Sequence, residues 1–233
     1  MPYYGFYFDP TYILVLIGVV VCFIASAQVK TTYQKYENVI SRSGYTADQV
    51  AYMILRNAGI TDVSIHHIPG DLTDNYNPRE HTLNLSDKVY GSRSIAAIGV
   101  AAHECGHAIQ HARHYVPLTV RSAIIPAANI GSSLAWPLVL IGLIIPRLDF
   151  CMTIGILLFS LVVILQLVTL PVEFNASRRA IQIIRDSGYL APDELKGAKS
   201  VLKAAAMTYV AAMVSVSLQL LRLVILRNSR DDD

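Results

Sequence analysis

Charge is scarce in this chain. Acidic and basic residues make up 15% of its 233 residues, against about 25% in a typical soluble protein. Apolar residues make up 53%, and the few charges are bunched, which leaves long neutral stretches. A soluble fold of this length would lack the polar surface to cover them, so an ordinary soluble protein is excluded and a membrane protein is expected. The net charge is only +2, with no Lys/Arg-rich run and no aromatic–basic platform. Nucleic acid is thereby excluded as a partner. Cysteine is scarce too. Cys22, Cys105 and Cys151 share no spacing that suggests a disulfide framework or a cysteine-based metal site. Internal repeats and low-complexity segments are absent. The length leaves room for one globular domain and several membrane spans, not for two independent domains.

What is present begins with four uncharged windows: Pro10–Val29, Ser122–Pro146, Phe150–Val172 and Ala204–Leu221. About 20 apolar residues cross a bilayer as a helix. The second window carries Asn129, Ser132, Ser133 and Pro137, so its membrane portion is expected to be Leu134–Ile145 plus a preceding turn. Arg222 interrupts the last window, which leaves an amphipathic or core helix as an alternative there. Ala25-Ser26-Ala27 resembles a signal-peptidase site, yet residues 1–10 hold no Lys or Arg, so a signal anchor is expected. If all four windows cross, eleven Lys/Arg flank the spans on the side of the long polar region and four on the other. Positive charge favours the cytoplasm. The expected order is a first span at 1–29, a cytoplasmic region at 30–121, a membrane hairpin at 122–172, a cytoplasmic segment at 173–203, and a last spanning or interfacial helix with its tail at 204–233.

Within the long polar region, Thr46 and Gln49 have the spacing of a capping box, and Gly59 suits the end of the helix that follows. Val63–Ile65, a turn at Pro69-Gly70-Asp71, and the polar–apolar alternation of Thr82–Leu85 predict a small sheet. Thr82–Leu85 is expected to be an edge strand able to pair with an extended substrate. Ser94–His111 reads as a helix rich in Ala and Ile.

That helix carries His103-Glu104-Cys105-Gly106-His107. Histidines at i and i+4 share one helix face about a turn apart, so both can reach one ion. Glu104 is turned toward the open coordination position, where it can take a proton from water. Imidazole nitrogens with one carboxylate suit Zn²⁺, whose catalytic sites keep three protein ligands and one open position. Burying Glu104 and two histidines among Ile95, Ala96, Ile98, Val100, Ala101 and Ala102 needs a reason, and a metal supplies one. A core helix with incidental histidines is the bland alternative. For the third ligand, Glu173 lies at the edge of the third span, on the same membrane side as the histidines. It could instead pair with Arg178 or Arg179, and His66, His67, Asp71 and His81 are rival ligands. Arg178, Arg179, Tyr76 and His81 are candidates to stabilise the oxyanion or contact substrate.

Three stretches in this order, Leu72–Pro78, Ala96–Gln110 and Pro171–Ala180, resemble the neutral zinc metallopeptidases of the YugP type, bacterial multi-pass membrane proteins. The arrangement is also similar to the broader gluzincin group, which includes the HtpX-like membrane proteases. The resemblance implies that Glu173 completes the zinc site. Those proteases usually carry an Asp four residues after that Glu, where this chain has Ser177, so Asn175 or Ser177 is expected to help orient a histidine.

The expectation is therefore a mainly α, multi-pass membrane protein with a small cytoplasmic α+β domain. It would be a zinc endopeptidase with ligands His103, His107 and Glu173, the base Glu104, and a protein or peptide as substrate. The alternative is a catalytically silent, zinc-stabilised scaffold for other membrane proteins. A homo-oligomer or a membrane partner protein is left open.

Overall fold

The computed structural model describes residues 9–231, with the side chains of Arg230 and Asp231 left aside; the first residues of the expected first span and the end of the acidic tail lie outside them. The protein is mainly helical. The elements are helices α1 (Tyr12–Glu37), α2 (Ala47–Asn57), α3 (Ile95–Ala112), α4 (Val116–Ile144), α5 (Asp149–Asp186) and α6 (Glu194–Asp231) and strands β1 (Ser64–Ile68), β2 (Asn75–Asn77) and β3 (Thr82–Ser86). Helices α1, α4, α5 and α6 are long and apolar enough to cross a bilayer. The residues divide into two compact units.

One unit contains the described residues up to Ile24, Ile124–Gln166, and those from Ala211 onward. Its large apolar side chains point outward: Phe23 is 72% and Leu16 61% exposed. Such a surface suits lipid rather than water. Inside, Ala135, Val139, Met152, Phe159 and Leu223 form a core. Small residues let the helices approach, as expected within a membrane. A Cβ on Gly155 would lie 2.8 Å from the Ala135 carbonyl oxygen. Helices α1 and α6 run antiparallel, with Gly18 against Ser215. Arg222 reaches Asp9 at 3.2 Å and lies 4.1 Å from the Tyr12 ring centroid. Its charge is thus neutralised by the start of α1, and it does not break α6.

Helix α4 runs unbroken through Pro126 and Pro137. The hydroxyls of Ser132 and Ser133 each donate to the Asn129 carbonyl oxygen at 3.0 Å, so these polar groups are satisfied within the helix.

The other unit contains residues 25–123 and 167–210. Its core joins Val50 and Ile54 of α2, Leu83 and Leu85 of β3, Ile98 and Ala101 of α3, and Ile184 of α5. Ser94 caps α3 by accepting from Ala97 N at 3.1 Å. At α2 half of the capping box closes. Thr46 N donates to Gln49 Oε1 at 3.0 Å, whereas Thr46 Oγ1 has no partner among the described residues. Gly59 follows with φ +77° and ends the helix. The sheet order is β1-β3-β2. Strand β3 pairs parallel with β1 and antiparallel with β2. Thr82–Leu85 is therefore the central strand, with ladders on both sides, and it has no free edge for a substrate. The edges of the sheet are β1 and β2.

Candidate metal centre

Helix α3 presents both histidines on one face, with Nε2 of His103 and Nε2 of His107 3.2 Å apart. Helix α5 brings Glu173 to them. Its Oε2 lies 3.3 Å from His103 Nε2 and 3.5 Å from His107 Nε2. The helices can meet because of Gly106, one residue before His107. A Cβ there would sit 2.7 Å from the Ala176 carbonyl oxygen and 3.1 Å from its Cα. Glu173 is 2% exposed, and its Oε2 has no hydrogen-bond partner among the described residues. Arg121 of α4 takes the other oxygen, with Nη1 3.4 Å from Oε1. The unpaired oxygen is thus the one that faces the histidines.

These donors fit zinc. Tetrahedral bonds of about 2.0–2.2 Å hold donor atoms roughly 3.3–3.6 Å apart, and the observed separations are 3.2, 3.3 and 3.5 Å. A buried, unpaired carboxylate oxygen is costly unless something completes it, and a cation at this point would. Glu104 is not one of the three. It is buried on the wall of a cavity of about 200 Å³ shared with His103, Glu173, Ser177, Asp74 and Tyr209. Burial pushes the Glu104 carboxyl above its usual range; His103 and His107 oppose this, and Glu173 and Asp74 add to it. Burial likewise raises Asp74, against the hydrogen bonds it accepts from Ser86. For His107, burial disfavours the charged ring, but Glu173 and Glu104 outweigh it and raise the pKa. The site thus draws in positive charge. A wider hollow of about 430 Å³, lined by Tyr45, Tyr52 and Tyr90, contains none of these donors, so the candidate metal centre adjoins the smaller one.

Residues 11–228 match the family described as "Putative neutral zinc metallopeptidase". The chain belongs to this family. It is also 45% identical over 212 residues to the "Putative membrane protease YugP" of Bacillus subtilis (strain 168), which covers 91% of this chain and 94% of that protein. No solved structure matches the chain.

Around the triad, Ser177 Oγ lies 3.1 Å from His103 Nδ1. Asn175 accepts from Arg179 Nε at 2.7 Å and from Gln110 at 3.0 Å. Arg178 is exposed. Tyr76 and His81 gather at His111, with Tyr76 Oη 2.9 Å from its Nδ1 and the His81 ring centroid 5.6 Å away. The rival ligands are engaged elsewhere. His66 meets Ser64, His67 meets Asp87, Asp71 meets Lys88, and His81 meets Asp62. Arg121, Tyr209 and Gln110 escaped the sequence reading. Gln110 alone had a signal, being three residues past His107 on the same helix. Arg121 and Tyr209 lie on other helices, at no telling spacing. Tyr209 lines the same cavity as Glu104 and Glu173.

Proposed function

We propose that the chain is a membrane-embedded endopeptidase that holds zinc through His103, His107 and Glu173 and uses Glu104 as its general base. The observation that carries this reading is the donor triangle of zinc dimensions with Glu104 on the wall of the adjoining cavity. Bound zinc would polarise a peptide carbonyl and lower the pKa of water to about 7. Glu104, adjacent to the first histidine yet outside the triangle, accepts a proton from the attacking water and passes it to the leaving amine. The water oxygen adds to the carbonyl carbon, the C–N bond breaks, and the amine departs protonated by Glu104. Burial makes Glu104 a stronger base than an exposed carboxylate. Tyr209, which lines the same cavity, would donate its hydroxyl to the developing oxyanion. Val29, Val100, Val201 and Leu202 line the cavity, so a polypeptide would present an apolar side chain there. We place the site on the cytoplasmic face, following the charge bias.

The test uses the purified full chain in detergent. It should contain equimolar zinc and cleave unfolded polypeptide, a chelator should abolish cleavage, and added zinc should restore it. Glu104→Gln should keep its zinc and lose about 10²–10⁴-fold in rate. Chelator-resistant cleavage, or wild-type rates in Glu104→Gln, would reject the mechanism. Full zinc with no cleavage of any polypeptide would favour the silent scaffold.

A further inference from the structure

We propose that Gln110 sets the tautomer of His107, as the middle link of a hydrogen-bonded chain whose direction is fixed at both ends. Gln110 is fully buried. Its Oε1 lies 3.0 Å from His107 Nδ1, and its Nε2 lies 2.8 Å from the Val172 carbonyl oxygen and 3.0 Å from Asn175 Oδ1. Asn175 Oδ1 in turn lies 2.7 Å from Arg179 Nε. The two ends are chemically unambiguous. A backbone carbonyl only accepts, and a guanidinium only donates.

From the first end, the Gln110 atom facing Val172 must be its NH₂, which leaves its carbonyl oxygen facing His107. From the other end, the Asn175 atom facing Arg179 must be its oxygen. That oxygen then requires a donor from Gln110, again the NH₂. Both ends impose the same orientation on the amide, so no alternative flip satisfies the chain. A carbonyl oxygen only accepts, so His107 Nδ1 must carry the hydrogen. The lone pair of the neutral ring then sits on Nε2, the atom 3.5 Å from Glu173 Oε2. His107 is thus preset to ligate through Nε2. His103 differs. Its Nδ1 meets the Ser177 hydroxyl, which can donate or accept, so that contact leaves its tautomer open.

This inference rests on the reading of His103, His107 and Glu173 as the metal site, and it assigns Gln110 as a positioning residue with Asn175 and Arg179 as its anchors. Partners of this kind typically change metal affinity by about 10–100-fold when removed.

The experiment reads the metal-free full chain labelled with ¹⁵N-histidine, using ring nitrogen–proton correlation spectra. The His107 signals are identified by their loss in His107→Ala. At a pH high enough to keep the ring neutral, wild type should show His107 in the single Nδ1–H form. Gln110→Met conserves volume but removes the strong acceptor. It should populate the Nε2–H form and weaken zinc by about 10–100-fold in chelator competition. A mixed or Nε2–H ring in wild type overturns the proposal without any variant, so a misfolded Gln110→Met cannot shield it. An unchanged tautomer and affinity in a folded Gln110→Met also overturn it. The readout needs no hydrolysis, so a silent zinc protein would defeat the endopeptidase reading and leave this one standing. Unchanged zinc affinity in His107→Ala would defeat the ligand assignment itself.

Discussion

At the residue scale, Glu173 does two things with its two oxygens. One pairs with Arg121, and the other faces the histidines unpaired. A purely electrostatic partner of Arg121 would not leave its second oxygen buried and unsatisfied, so the ligand role predicts more than loss of an ion pair. Glu173→Gln should lower zinc stoichiometry and abolish hydrolysis, whereas Glu104→Gln keeps its metal. Full zinc in Glu173→Gln, by metal analysis, would reject the ligand role. Tyr209→Phe should keep zinc and KM while kcat falls about 10²–10³-fold, the usual effect of losing one oxyanion donor. An unchanged kcat would remove Tyr209 from the mechanism. His103, Glu104 and His107 were legible in the sequence because a helix repeats itself every turn and their spacing matches it. Glu173 was reachable through topology. Arg121 and Tyr209 were not legible, because no local pattern records which side chain of one helix meets another.

At the scale of elements, the site depends on how closely α3 and α5 approach. The contact runs through Gly106 against the Ala176 backbone, which cannot swing aside as a side chain could. Gly106→Ala should force the helices apart, costing about 1–3 kcal/mol as overpacking does, and it should weaken zinc binding by shifting Glu173 from the histidines. Thermal unfolding and chelator competition would check this, and a variant with wild-type values in both would show that the helices are not held by that contact. Helix α2 was legible from its apolar face, Thr46, Gln49 and Gly59, α3 from its Ala and Ile content, and the long helices from their uncharged windows. Strand Thr82–Leu85 was recognised from its alternation, yet its place in the sheet was not. Alternation reports which face is buried, but says nothing of which edge is occupied. Helix α4 continues N-terminal to the membrane portion expected for it, and its serines bond to carbonyls within their own turn.

At the scale of the molecule, α6 lies antiparallel to α1 over the length from Gly18–Ser215 to Asp9–Arg222. A helix paired in this way should cross the bilayer just as its partner does. With the charge bias, this predicts that a reporter fused to the C-terminus is extracytoplasmic. Cysteines introduced at exposed positions between residues 60 and 90 should label only after permeation. A cytoplasmic C-terminal reporter would show that α6 does not cross, and it would leave the zinc chemistry untouched.

The sequence alone determined the four apolar helices and the His103-Glu104-Cys105-Gly106-His107 face. Hydropathy is summed over neighbours in the chain, and helical spacing is a local geometric rule, so both survive without any knowledge of the fold. Only the tertiary structure decided that Arg121 rather than Arg178 or Arg179 meets Glu173, that β3 is central, and that Gln110 stands between His107 and Val172. Those outcomes depend on which surfaces fit together. At α3 and α5 the fit turns on the absence of a single Cβ at Gly106, a fact of shape whose consequence appears only when residues about seventy positions apart are packed against each other.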